Sequence, residues 1–174
     1  DGPVLRFYYC NESKSFKVAT TRVLDAKNAN WGSNKSFFSL VEDGIKQLLK
    51  TDFDTFAKEL NPNYVYSVIL LHPDNQLVVR HKSVQLMVVG IRDLVTMNEL
   101  HPTNMCAEAQ RIHLGCPVIK TIGMKQEYEC YSKLNWEKLC FDLLDRKEKS
   151  EYACGYMITS ANILPAADPN VKEE

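Results

Sequence analysis

Two apolar runs separated by a turn constrain the fold of this chain more than any other feature. Tyr64–Leu71 is almost continuously apolar, and Val84–Ile91 is a second run of the same β-branched character. The turn-forming residues His72-Pro73-Asp74-Asn75 interrupt the first run, and Gln76–His81 is again extended in character. Because connections this short cannot hold a parallel crossover, the pattern predicts an antiparallel sheet in the middle of the chain.

Strands and helices are predicted on both sides of this sheet. Val4–Cys10 and Phe16–Val23 flank a polar turn and predict a hairpin. Ser33 or Asn34 is expected to cap a helix that runs to about Lys50. The other predicted elements are a short helix over Phe53–Leu60, a helix over Asn104–Leu114 with Gly115 as its stop, a strand from Cys116 to Ile119, a helix that begins at Ser132 and a strand over Tyr152–Ser160. This order predicts an α+β fold with antiparallel sheets and flanking helices.

The composition is that of one ordinary globular domain. The chain has 174 residues, of which 45% are apolar, and a formal net charge of −1, so it lacks the basic surface of simple nucleic-acid-binding proteins. No apolar window approaches the roughly 18 residues of a membrane span, so no membrane partner is expected. We expect one domain over residues 1–161 and a loose tail or truncated final strand over residues 162–174. A start at Asp1, without Met or a signal-like segment, predicts a processed product or a fragment.

The cysteines are predicted to be free thiols in a reducing compartment. The sequence has Cys10, Cys106, Cys116, Cys130, Cys140 and Cys154. An even number is compatible with disulfides, but the chain is long enough to fold without them and has no visible secretory signal. Zinc sites use cysteine pairs two to four residues apart, and no Cys-x-x-Cys occurs, so no metal site is expected. A nucleophile made of Cys116 and His113 is a weaker alternative.

Four fragments of the sequence occur in an order that is typical of one enzyme family. They are Asp1-Gly2, Pro73–Val78, Val89–Asp93 and Gly155–Met157. In these fragments the chain resembles the nucleotidyltransferase domain of ATP-dependent RNA ligases of the phage RNA ligase 1 type. That family has a Lys-x-Asp-Gly nucleophile motif before a hairpin and a strand that ends in Glu before Pro-x-Asn-Arg-Ile-Val. An apolar strand closing on Val-Arg and an acidic residue follows, and then a late Glu-Gly motif.

The resemblance covers nearly the whole chain and implies a fold, cofactors and a set of site residues. The fold would be an ATP-grasp-like ligase domain, with ATP and Mg²⁺ as cofactors and RNA as a partner if the activity is retained. In that case Asp1, Gly2, Arg22 and Lys172 are the residues expected to bind nucleotide. Simpler explanations also exist: Asp74-Asn75 as turn formers, Arg92-Asp93 as an ion pair at a strand end and Tyr156 as a core aromatic.

The residues that such a ligase needs for catalysis are missing or replaced. The nucleophilic lysine would stand two positions before Asp1. Ile69 occupies the position of the Glu that accepts a ribose hydroxyl, and an unpaired buried hydroxyl costs on the order of 1–3 kcal/mol. Cys154 replaces a Glu, although Mg²⁺ prefers oxygen ligands, and Glu174 replaces the second cation of the last motif. We therefore assign no catalytic residue.

Three hypotheses remain open from the sequence. The favoured one is an RNA ligase-like domain that has lost catalysis and serves as a binding or structural module. The occurrence of this ligase type places the module in a viral or phage assembly with protein partners, in the cytoplasm or the virion. The second hypothesis is a fragment of an active ligase whose lysine lies just upstream of Asp1. The third is an unrelated α+β interaction domain.

A basic strip with aromatic residues near the start of the chain is the candidate RNA contact. It consists of Lys14, Lys17, Arg22, Lys27 and Lys35, interleaved with Phe16 and Trp31. Cations and stacking aromatic rings are the groups that bind single-stranded nucleic acid. An ordinary solvated hairpin has the same composition, and the near-zero net charge favours that interpretation.

Overall fold

A four-stranded antiparallel sheet lies at the centre of the computed structural model, which describes residues 2–31, 33–75 and 80–116. The strands are β1 (Val4–Cys10), β2 (Ser15–Ala19), β3 (Tyr64–Leu71) and β4 (Gln85–Asp93), in the spatial order β2-β1-β3-β4. The hairpin of β1 with β2 and the antiparallel pairing of β3 with β4 are both as predicted. The α+β class and the antiparallel sheet are therefore confirmed.

Strand β3 shows why an almost continuously apolar run forms part of this sheet. Tyr66, Val68 and Leu70 are fully buried on one face, whereas Ser67 and Ile69 lie on the other face and are half-buried. Successive side chains of a strand point to opposite faces, so both faces of β3 are at least partly covered. This is the environment in which a strand needs apolar residues at nearly every position.

The β3–β4 pair contains a bulge. Ser67 pairs with Gly90 and Val68 pairs with Val88, so Val89 is an extra residue on β4. A bulge lets a strand change which side chains face the core, and Ile91 is again fully buried beyond it.

Three helices pack on the sheet face that carries Tyr66. They are α1 (Phe37–Leu49), α2 (Phe53–Ala57) and α3 (Pro102–Arg111). The buried side chains of these helices share one core cluster with those of the strands, and Phe7 of β1 meets Phe53 of α2 edge to face at 5.9 Å between ring centroids. The core therefore lies between the sheet and this single layer of helices.

The predicted boundaries of the first helix and of β2 are wrong by a few residues. The helix begins after Ser36, whose Oγ accepts the backbone N–H of Ser39, rather than after Ser33 or Asn34. Strand β2 ends at Ala19 instead of Val23. The hydroxyl of Thr20 accepts the N–H groups of Arg22 and Val23, and this side-chain turn ends the strand.

The later helices are also shorter than predicted. Helix α2 ends at Ala57, short of the predicted Leu60. Helix α3 ends at Arg111, where we predicted Leu114, and His113 takes the left-handed conformation with φ of 57°. Gly115 is not the helix stop, because it forms an isolated parallel bridge with Met87 of β4.

Cys106 and Cys116 form a disulfide, so the prediction of free thiols is wrong for these two residues. Cys10 is free, as predicted. Cys130, Cys140 and Cys154 lie outside the described residues. Disulfides are rare in reducing compartments, so this pair does not support the predicted reducing environment.

Several predictions fall outside the described residues. They are the extended segment at residues 76–79, the strand from residue 117 onward, the helix that begins at Ser132, the strand over Tyr152–Ser160, the core role of Tyr156 and the domain boundary between residues 161 and 162. Within the part of the chain that the structure describes, no helix has the length and apolar character needed to cross a membrane.

Candidate functional site

Gly2, just before β1, lies beside Ile69 of β3, and both are positions of the ligase resemblance. A Cβ built on Gly2 would overlap the carbonyl oxygen of Leu70 and would lie 3.2 Å from Cγ2 of Ile69. The next residue, Pro3, accepts the N–H of Leu70 at 3.1 Å. Only glycine allows this close approach of the N-terminal segment to β3. Two fragments that are almost seventy positions apart in sequence are thus adjacent in the fold.

The Ile69 side chain cannot take the role that the resemblance gives to this position. Ile69 is half-buried and pairs with Val4 of β1 and Met87 of β4, so its cross-strand neighbours are apolar. None of these three side chains accepts a hydrogen bond from a hydroxyl with useful strength. The described part of this site therefore does not fit the ribose of ATP in the manner of the family.

Of the other residues expected to bind nucleotide, the structure describes Arg22. Arg22 is exposed in the bend after β2, where only its backbone N–H is bonded among the described residues. Asp1, Lys172, Cys154 and Glu174 lie outside the described residues. Of the positions that the resemblance singles out for nucleotide binding or its loss, the structure therefore describes Gly2, Arg22 and Ile69.

A second group of polar residues surrounds the turn at the end of β3. His72 is 3% exposed, and its Nδ1 accepts the N–H of Asp74 at 3.0 Å, which leaves the ring proton on Nε2. The N–H of Asn75 donates to the carbonyl of His72 at 3.0 Å. Asp74 and Asn75 are therefore turn formers, as the simpler explanation held.

Three buried polar atoms of this turn have no hydrogen-bond partner among the described residues, which stop at Asn75 and resume at Arg80. They are Nε2 of His72 and both side-chain atoms of Asn75, a residue that is only 2% exposed. Burial lowers the pKa of His72, although the carboxylates of Asp74 and Asp43 oppose the shift and Lys35 adds to it. A neutral imidazole is thus the form that this environment stabilises.

Lys35 connects the β3 turn to helix α1. Its Nζ donates to Oδ2 of Asp43 at 3.0 Å and to Oδ2 of Asp74 at 3.1 Å. These bonds raise the pKa of Lys35 and lower that of Asp74. Lys35 and Asp74 line an open depression of about 630 Å³ together with Ser33 and Asn34. Lys35, Asp43 and Asp74 were not predicted as a group, because no periodic sequence pattern connects Lys35 with Asp74, which stands 39 positions later.

Some residues of the predicted basic strip are exposed to solvent, and others contact neighbouring side chains. Lys14, Arg22 and Lys27 are exposed, and the Lys27 ammonium lies 5.4 Å from the centroid of the Phe38 ring. Trp31 is 68% exposed.

Two members of the strip are engaged in other contacts. Phe16 packs against the core and meets the Tyr9 ring at 5.5 Å, so it is not free to stack on a base. Lys35 is held by its two aspartates.

The predicted ion pair of Arg92 with Asp93 is wrong. Arg92 Nε donates to the carbonyl of Met97 at 3.3 Å and lies 3.9 Å from Oε1 of Glu99. Asp93 instead accepts the N–H of Val95 at 2.8 Å in the turn after β4. Both residues stabilise this turn.

Within residues 2–31, 33–75 and 80–116, no three His, Cys, Asp or Glu side chains are grouped so that they could hold a metal ion. No protein-family model matches the chain, and no curated protein matches it. The function is therefore argued from the residues themselves.

Proposed function

We propose that the chain is a degenerate RNA ligase-like domain, a pseudoenzyme that binds single-stranded RNA without ATP-dependent catalysis. The proximity of Ile69 to Gly2 carries this proposal. It supports the pairing of motif fragments that the ligase resemblance requires, and Ile69 is aliphatic at the sequence position for which such a ligase needs a carboxylate. The replacements at Cys154 and Glu174 in the sequence point in the same direction.

The exposed ring of Trp31, with cations in the neighbouring sequence, supports RNA as the partner. A tryptophan with 68% exposure contributes little to the core, whereas base stacking on an aromatic ring is worth about 1–3 kcal/mol per base. Lys17, Arg22 and Lys27 supply positive charge in the neighbouring sequence for the phosphates. A viral or phage assembly and protein partners remain predictions of the resemblance.

Binding of a fluorescent single-stranded pyrimidine RNA, measured between about 50 and 200 mM salt, tests the proposed function. Three phosphate contacts predict a slope of log affinity against log salt of about −2. The Trp31→Ala variant should bind about tenfold more weakly, since one lost stacking contact corresponds to about 1–3 kcal/mol. Leu24→Ala is the matched control, because Leu24 is 77% exposed but cannot stack. Absence of binding at low salt, or equal affinity of the two variants, would contradict the proposal.

A further inference from the structure

The Cys106–Cys116 disulfide lies where the chain leaves helix α3 and returns to the sheet. Cys106 is in the middle of α3, and Cys116 directly follows Gly115. Their Cα atoms are 5.5 Å apart, a separation that a disulfide can span without backbone movement. Both residues are half-buried and pack against the core.

Within the described residues, the chain returns to the sheet at Gly115, which forms an isolated bridge with Met87 of β4. The N–H of Val88 donates to the carbonyl of Gly115 at 2.8 Å, and the N–H of Gly115 donates to the carbonyl of Leu86 at 2.9 Å. Gly115 is exposed, so water competes for both bonds. Two such bonds at one exposed residue give the bridge little stability of its own.

Helix α3 itself is held by other contacts. Met105, Ala109 and Ile112 are buried in the core. On the same helix Glu108 accepts the hydroxyl of Tyr66 at 2.8 Å, and Arg111 donates to Glu108 at 2.7 Å. The disulfide is therefore not needed to dock α3, and what it adds is a covalent tether beside Gly115.

We propose that the Cys106–Cys116 disulfide is a redox-controlled latch that fixes Gly115 on strand β4 when oxidised and releases it when reduced. In reduction, an external thiolate attacks one sulfur and the other cysteine leaves as a thiolate. A second external thiol then displaces the first, so that two thiols are oxidised to one external disulfide and both cysteines become protonated thiols. This inference does not rest on the proposed function.

The latch has a consequence for the rest of the chain. Residues 117–174 continue from Cys116 and include Cys154 and Lys172, two positions of the ligase resemblance. The redox state of the disulfide would thus set whether this C-terminal segment starts from a fixed point on the sheet or from a free one.

Peptide mapping and amide hydrogen exchange, with and without a dithiol reductant, test the latch on the full chain. Mapping of the non-reduced protein should yield a peptide pair cross-linked through Cys106 and Cys116. On reduction, the amides of Gly115 and Val88 should exchange at least about tenfold faster. The hydrogen bonds that these two amides donate, to Leu86 and to Gly115, are then no longer supported by the disulfide. The amide of Ile112, which donates to Glu108 at 3.1 Å inside α3, should change less than about twofold.

Two variants separate the latch from a general loss of structure. A chain with both Cys106→Ser and Cys116→Ser should exchange like the reduced protein whether or not reductant is present. Cys10→Ser, which removes the free thiol in β1, should behave like the parent chain. The proposal is overturned if no cross-link is found or if Gly115 exchange ignores reduction. It is also overturned if Ile112 accelerates together with Gly115, because α3 would then depend on the disulfide.

Discussion

At the scale of single residues, His72 shows how burial sets the charge of a side chain at the end of β3. Its Nδ1 accepts the N–H of Asp74, and its Nε2 has no hydrogen-bond partner within the described residues. A protonated ring would lose the Nδ1 bond and carry a charge in a buried position. Asp43 and Asp74 only partly offset this cost, so burial lowers the pKa of His72.

The stability of the protein should therefore depend on pH through His72. The unfolded chain takes up a proton near the ordinary histidine pKa of about 6.5, whereas the folded chain does so only at lower pH. The contribution of His72 is thus fully present above pH of about 6.5 and declines as the pH falls below it. We expect chemical unfolding at a series of pH values to show this decline in the parent chain.

The His72→Asn variant is the matched control for this prediction. Its side-chain oxygen can accept the N–H of Asp74 in place of Nδ1, but it does not titrate. The decline in the free energy of unfolding between about pH 7 and pH 5.5 should be smaller in this variant. An identical decline in both proteins would show that His72 is not buried as a neutral ring.

At the scale of secondary-structure elements, a hydrogen-bonded group fastens α3 to β3. The hydroxyl of Tyr66 accepts the N–H of Asn61 and donates to Glu108, both at 2.8 Å. Arg111 donates to both carboxylate oxygens of Glu108 and to the carbonyl of Glu59, all at 2.7 Å. The bonds from Arg111, and to a lesser extent from Tyr66, lower the pKa of Glu108, while burial opposes the shift.

Loss of the Tyr66 hydroxyl should destabilise the protein by about 1–2 kcal/mol, because the N–H of Asn61 is left without its partner. Since the pKa of Glu108 is lowered, its interactions are fully present above the ordinary value of about 4.5 and are lost as the pH falls through the lowered pKa. The cost of Tyr66→Phe, measured by urea unfolding, should therefore be largest near neutral pH and should shrink below about pH 4.5.

Tyr64→Phe is the control for this comparison. Its ring lies 6.1 Å from that of Tyr66, but its hydroxyl makes no hydrogen bond among the described residues. We expect it to change the free energy of unfolding by less than about 0.5 kcal/mol. Equal effects of the two substitutions would contradict a role for the Tyr66 hydroxyl.

The elements themselves were largely predictable, whereas their ends were not. The apolar run of β3 and the helical spacing of Phe37, Val41 and Ile45 in α1 are local patterns, so the sequence predicts both elements. Their boundaries depend on single side chains: the Ser36 hydroxyl starts α1, and the Thr20 hydroxyl ends β2. Several nearby serines, threonines and asparagines could have taken these roles, and only tertiary packing selects among them.

At the scale of the whole molecule, the candidate sites depend on contacts between distant segments. Gly2 and Ile69, two positions of the ligase resemblance, are neighbours because β1 pairs with β3. The group of Lys35, Asp43 and Asp74 could not be predicted, because it joins a loop, a helix and a turn that no periodic pattern connects. The disulfide likewise depends on where α3 ends relative to β4.

The central claim of the proposed function is that this chain does not form a covalent nucleotide adduct. A chain extended upstream so that lysine stands two positions before Asp1 would have the complete nucleophile motif, with alanine at that position as the control. After incubation with ATP and Mg²⁺, intact-mass spectrometry should find neither protein modified. Ile69 would leave the ribose hydroxyl without a hydrogen-bond acceptor, and the thiol of Cys154 is a poor ligand for Mg²⁺. A covalent AMP adduct on the lysine-containing chain, absent from the alanine control, would contradict the claim.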